Sequence, residues 1–170
     1  MTGPPARVVR VLTLALLCVG CMYQFRGGNF PEHIRTLAVD PVENETARLE
    51  VTGELNEQLF RVLAPSLGVR AASSDEADAV VRVKIVRYEV NAPNYRTGDG
   101  DQRAEVLQRQ VTITAQVQIV DQVNNEIYWG APTLRAEGQF LEATETEEAG
   151  RAEAIRTLVQ GIVDGAQSNW

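Results

Sequence analysis

Between Gln110 and Ile119 polar and apolar residues alternate without a break, with Val111, Ile113, Ala115, Val117 and Ile119 on one parity and Gln110, Thr112, Thr114, Gln116 and Gln118 on the other. Successive side chains of a strand point to opposite faces, so this segment sets one face in a core and the other against water or a polar partner. Two further segments decide what covers the apolar face. Val51, Leu55, Leu59, Val62 and Leu63 recur at helical spacing, and so do Ile155, Leu158, Val159, Ile162, Val163 and Ala166. Each predicted helix therefore has a single apolar side. Both stripes are buried at once if the two helices lie on the same face of one sheet.

The rest of the chain fills in that plan. Ile34 to Val42 reads as a first strand stopped by Pro41. Asn44 and Thr46 are N-cap types for the first helix, and Pro65 with Gly68 ends it. Asp78 to Val90 is the second strand, with Ala79, Val81, Val83 and Ile85 on one face and Arg82 and Lys84 on the other. Val86, Tyr88 and Val90 then continue on the opposite parity, which predicts a bulge or a twist. Asn91 to Gln102, with Pro93, Gly98 and Gly100, has the composition of a loop.

Asn124 and Asn125 mark a hairpin turn into a fourth strand, Glu126 to Phe140, interrupted near Pro132 and antiparallel to the third. Thr144 and Glu147 stand at capping-box spacing before the last helix, and Glu142, Glu145, Glu147 and Glu148 place negative charge at its positive end. The expectation is an α+β fold, a two-layer sandwich of two helices on one face of a four-stranded sheet, in the order β-α-β-β-β-α, with the other sheet face left polar.

The first 20 residues differ in kind. They carry Arg7 and Arg10, no acidic residue, and an apolar run from Val11 to Val19 that ends in Gly20 and Cys21. That is the layout of a signal peptide, and the run is far short of the roughly 20 residues that a spanning helix needs. Residues 1–20 are thus expected to be cleaved, 21–33 to form the processed N-terminus and a lead-in, and 34–170 to form one domain.

Cys18 and Cys21 are the two cysteines, and one survives cleavage, so no disulfide framework exists. A lone exposed thiol is a liability in an oxidising compartment, and the reading favoured here is lipidation of Cys21. Gly20 suits lipoprotein processing, whereas Cys18 stands where bacterial lipoproteins usually have Leu.

Cleavage would remove two of the 16 basic residues and none of the 23 acidic ones, leaving a charge of −9. Nucleic-acid binding, which depends on neutralising phosphates, is not expected of such a domain. Nor is an enzyme. His33 is the single histidine, read as a surface residue with nothing converging on it, and no G-x-S-x-G motif occurs. Gly98, Asp99, Gly100 and Asp101 lack the further ligands of a calcium loop and read as a turn. No catalytic residue, metal-ligand set or cofactor is expected, although the many carboxylates leave an acidic pair open.

In order and spacing the chain resembles the LPS-assembly lipoprotein family, LptE. Cys21, Met22, Tyr23, Gln24, Phe25, Arg26 and Gly27 resemble the family's start, with Met22 a departure from its Gly. Ile34 through Thr46, IRTLAVDPVENET, resembles its first strand and the Asn-x-Thr approach to the first helix. Ala77, Asp78 and Ala79 open the second strand similarly, Asp121 closes the third, Tyr128 and Trp129 resemble the Leu-Trp pair of the fourth, and Trp170 ends the last helix.

The resemblance implies two helices on a four-stranded mixed sheet and no catalysis. It also implies a place inside the outer-membrane β-barrel protein LptD, helping that barrel to fold and lipopolysaccharide to reach the outer leaflet. Met22, where an aspartate would suggest inner-membrane retention, implies anchoring at the outer membrane on its periplasmic side.

Under that resemblance Gln110, Thr112, Thr114, Gln116 and Gln118 form a face suited to a wet barrel lumen. Lipopolysaccharide is anionic, so the candidate contacts are Arg82, Lys84, Arg87, Arg96, Arg103 and Arg109. The alternative is a periplasmic lipoprotein of similar fold that activates a cell-wall enzyme or binds a small ligand.

Overall fold

The computed structural model describes residues 30–96 and 105–168. Cys21, the expected signal peptide, Arg103 and Trp170 lie outside the described residues. The elements are β1 (Thr36–Val39), β2 (Glu43–Asn44), α1 (Glu50–Leu67), β3 (Arg70–Ala71), β4 (Ala79–Arg96), β5 (Glu105–Asp121), β6 (Glu126–Phe140) and α2 (Glu147–Gln167). They form an α+β fold with one mixed six-stranded sheet in the order β3-β1-β4-β5-β6, β2 pairing with β4. β1, β2 and β3 add parallel pairings, and β4, β5 and β6 are antiparallel neighbours.

The expected four strands become six for local reasons. The first strand is split at Asp40 and Pro41 into β1 against Ala79–Val81 and β2 against Lys84–Ile85, because proline has no N–H for the ladder. β3 is a two-residue addition beside β1 that follows α1. The expected loop from Asn91 is also corrected. β4 continues to Arg96 and pairs with β5 from Glu105, and Pro93 falls in the register skip between Asn91 and Asn94, where no ladder bond is required of it.

α1 and α2 pack against each other and on one sheet face, α1 beside β1 and β3, α2 over β5 and β6. Val51, Leu55, Leu59, Leu63 and Leu67 of α1, and Ile155, Leu158, Val159, Ile162, Val163 and Ala166 of α2, are buried against Val81, Val83 and Ile85 of β4 and Val111 to Ile119 of β5. Each fully buried aliphatic side chain contributes about 1.5–3 kcal/mol relative to exposure. α2 comes so near the sheet that a Cβ on Gly138 of β6 would lie 2.0 Å from the Gly150 carbonyl oxygen, and one on Gly165 would lie 2.1 Å from the Trp129 ring.

The helix ends differ from their expected chemistry. Pro65 lies inside α1, which runs on to Leu67. The stop is Gly68 at φ 72°, whose N–H donates to the Pro65 carbonyl while that of Val69 donates to Ala64, a Schellman closure. The residue that caps α1 is Leu49, and Asn44 instead accepts from the Thr46 N–H and donates to the Arg48 carbonyl, so the Asn-x-Thr stretch forms a turn before the helix. The Thr144–Glu147 capping box does not form either. α2 begins at Glu147 with Thr146 in the cap position, and it is Glu145 that reaches back, accepting from the Leu141 N–H.

One end of the sheet holds the lead-in. Asp121, buried at the end of β5, accepts from His33 Nε2 at 2.5 Å and from the N–H groups of Val123 and Asn124. Burial by itself would raise the Asp121 carboxyl. The bonds from His33, Asn124 and Val123 outweigh it and hold the group below the ordinary range. Beside it Asp78 accepts from the Arg35 N–H at 2.8 Å and the Thr36 N–H at 2.9 Å, and these donors, Arg35 first, lower its carboxyl as well. Phe30 meets Tyr128 edge-on, 5.1 Å between centroids. His33 is exposed, as its sequence position suggested, but it is not isolated: it ties the lead-in to the sheet through Asp121.

Candidate functional site

The helices cover one sheet face, and the other is open. Down its middle run Gln110, Thr112, Thr114, Gln116 and Gln118 of β5, all on the parity opposite to the buried Val111, Ile113, Ala115, Val117 and Ile119. β4 supplies Arg82 opposite Gln118 and Lys84 opposite Gln116. A bulge at Val86 then advances β4 by one residue, Ile85 pairing with Ala115 but Arg87 with Thr114. The extra residue carries Arg87 and Glu89 to the same open face as Arg82 and Lys84, and turns Tyr88 and Val90 toward the core. On the far side β6 places Arg135 opposite Thr114, Glu137 opposite Thr112 and Gln139 opposite Gln110.

The face is therefore uncharged only along β5 and is charged on both flanks. Every candidate cation whose side chain is described has an acidic neighbour. Arg82 pairs with Asp40 at 3.2 Å, Lys84 with Glu43 at 3.2 Å and Glu45 at 3.3 Å, and Arg87 with Glu89 at 3.5 Å. Glu43 first, then Glu45, hold the Lys84 ammonium above its ordinary range, so it stays charged.

Arg109 stands apart, because its odd parity on β5 belongs to the helix side, and its guanidinium meets Glu142 at 2.8 Å just before α2. Arg96 lies at the last pair of the β4–β5 ladder, opposite Glu105, beyond the end of β6. The candidates thus separate into Arg82, Lys84 and Arg87 on the open face, Arg109 on the other side, and Arg96 at the far tip.

Sequence reasoning passed over Arg135, Glu137 and Glu89. The signal was there for β6: Leu134, Ala136, Gly138 and Phe140 alternate with Arg135, Glu137 and Gln139. Within this face Thr112 is only 1% exposed, and its hydroxyl has no hydrogen-bond partner.

Two clefts adjoin the sheet. One of about 320 Å³ opens where the first strand is broken and is lined by Asp40, Glu43, Arg82, Lys84, Gln116 and Gln118. The other, about 530 Å³, runs between the free edge of β6 and α2, past Leu134, Arg156 and Gln160. In the first, Asp40 and Glu43 are each engaged by a cation, which leaves no carboxylate pair poised for acid–base work. Among the described residues no three of His, Cys, Asp or Glu converge, and no helix is long and apolar enough to cross a membrane.

A second polar group lies at the other end of the helix layer. Tyr88 donates to Glu147 at 2.8 Å, Arg48 lies over the Tyr88 ring at 5.5 Å, and Arg151 makes a two-bond contact with Glu54 at 2.8 and 2.9 Å. Burial, then Glu147, push the Tyr88 phenol up to about 12. Glu54 likewise raises the Arg151 guanidinium, which keeps its positive charge. This group ties α1, β4 and α2 together and holds no open coordination position or nucleophile.

Compared with known proteins, the chain matches the family described as LptE, lipopolysaccharide-assembly, over residues 34–164. Among curated proteins none matches. Of solved structures, the hypothetical protein CT253 from Chlamydia trachomatis is 12% identical, with 77% of this chain and 97% of that chain covered at a TM-score of 0.50, and it shares the fold. A minor lipoprotein from Acinetobacter baumannii is 20% identical over 81% of this chain and 95% of that one, at a TM-score of 0.49.

Proposed function

The chain belongs to the LptE family of lipopolysaccharide-assembly proteins, and from that premise we propose that it is a lipid-anchored outer-membrane component of the lipopolysaccharide translocon, seated in an LptD-type barrel and assisting its folding and glycolipid delivery. The observation that carries this reading is the open sheet face. A two-layer sandwich leaves one side of its sheet uncovered, and here that side is polar from Gln110 to Gln118, with paired charges on both flanks, before it ends in a small apolar cluster of Ala38, Ala77 and Val80. A water-filled barrel interior is lined by polar groups, so such a face meets it without burying unpaired charge.

Arg82, Lys84 and Arg87 are the cations this reading offers to the glycolipid's anionic groups; Lys84 and Arg87 leave exposed partners at small cost, and Arg82 leaves the half-buried Asp40, which keeps its bond from Ser74. The protein works by occupying and positioning, not by catalysis. Cys21 is the anchor, and it lies a few residues ahead of Phe30, which rests on Tyr128 at one end of the sheet. Phe30 and the last described β4–β5 pair, Arg96 with Glu105, lie toward opposite ends of the sheet.

Detergent extraction with affinity capture of the full chain tests the proposal. A large β-barrel protein is expected to come down with it, and palmitate labelling is expected to vanish in Cys21→Ser. Capture of the chain alone would favour a free periplasmic lipoprotein, and label persisting in the variant would put the anchor elsewhere.

A further inference from the structure

Near the centre of the open face, Thr112 is flanked by Glu89 of β4 and Glu137 of β6, the residues directly opposite it on its two neighbours. Adjacent strands are about 4.8 Å apart, so both carboxylates can lean inward over the threonine. Its hydroxyl is buried and meets no donor or acceptor. Buried polar atoms are almost always paired, so this hydroxyl keeps an acceptor and a donor that the chain itself does not use. Next along the face, Arg87 and Arg135 flank Thr114 in the same way. Each arginine touches the glutamate two residues on, Arg87 to Glu89 at 3.5 Å and Arg135 to Glu137 at 2.8 Å, through side chains that are largely exposed.

Carboxylates and a hydroxyl are hard oxygen donors, and the register lets these three be drawn together over Thr112 as Ca²⁺ or Mg²⁺ requires. A guanidinium beside them is the group that takes phosphate in two parallel bonds. We propose that Glu89, Thr112 and Glu137 form a divalent-cation site on the open face, and that Arg87 and Arg135 hold a lipid-borne phosphate which that cation bridges. Three protein donors leave most of the coordination sphere to water and phosphate oxygens, so the affinity falls in the weak range of about 10⁻⁴–10⁻³ M typical of extracellular sites. The exposed arginine contacts cost little to rearrange. The cation half of the proposal stands without the glycolipid reading, whereas the phosphate half rests on it.

Equilibrium dialysis of the full chain in detergent against radioactive Ca²⁺ tests the cation half. Saturable binding is expected, weakened about tenfold or more in Glu89→Gln/Glu137→Gln and several-fold in Thr112→Val, a near-isosteric change that keeps or raises Tm because it removes an unpaired buried hydroxyl. No saturation up to about 10 mM Ca²⁺, or binding equal in native protein and variants, overturns it.

Retention on lipopolysaccharide micelles tests the phosphate half. Retention should fall with EDTA, and without EDTA in Glu89→Gln/Glu137→Gln and in Arg87→Ala/Arg135→Ala. Retention indifferent to all three overturns the bridge, and saturable binding of inorganic phosphate with Ca²⁺ at equal affinity overturns the lipid source. If Ca²⁺ binds as described but the native chain is never retained, the translocon reading fails together with the phosphate half, and the cation half survives.

Discussion

Tyr88 lies just past the β4 bulge, on the core side, and its phenol is raised from 10.0 to about 12 by burial and by Glu147. A raised folded-state value means that the stability it contributes is whole below pH 10 and is lost as pH climbs through 12. Denaturant titrations in that window should therefore show stability falling more steeply for native protein than for Tyr88→Phe, and parallel slopes would contradict it. The sequence showed Tyr88 as an apolar residue out of phase; it did not show Glu147, 59 positions away, as its acceptor. Pairings of this range follow from packing two helices on one sheet, which single-residue reading does not reach. For the same reason His33 looked solitary, since Asp121 is 88 residues off.

Elements were more legible than their ends. The parity change at Val86 predicted the bulge, and the bulge is what brings Arg87 beside Arg82 and Lys84. The third strand and the turn at Asn125, with φ 55°, follow directly from alternation and from asparagine's tolerance of left-handed backbone. Capping was misread because Asn44, Thr46 and Thr144 have the right chemistry one turn too early, and competing turns before each helix claimed them. The β4–β5 arm was missed since Pro93 and the glycines around it look like a loop, while its strands are sustained by pairing with each other. How near α2 approaches β6 was likewise invisible. Gly138→Ala would drive a methyl into the Gly150 backbone, an overpacking expected to cost about 1–3 kcal/mol. Gly53→Ala, at an exposed helical site with open space around it, should be stabilising by about 0.5–1 kcal/mol. Chemical denaturation of the two variants checks the contrast, and equal midpoints would refute the close approach.

At the scale of the whole molecule, the helices fill one side and leave a polar sheet on the other, with Phe30, His33 and Asp121 fixing the lead-in at one end. Family membership and this asymmetry support the same arrangement, a tethered body whose uncovered face meets the inside of a barrel. The face is where that idea is most exposed to test. A photo-crosslinking residue at Gln116, solvent-exposed in mid-strand, can be introduced into the full chain in its own envelope and compared with one at Glu57 on the outer side of α1. The account predicts an adduct from position 116 with a large β-barrel protein whose gel mobility shifts on heating. An adduct from position 57 with none from 116, or none from either, would contradict it.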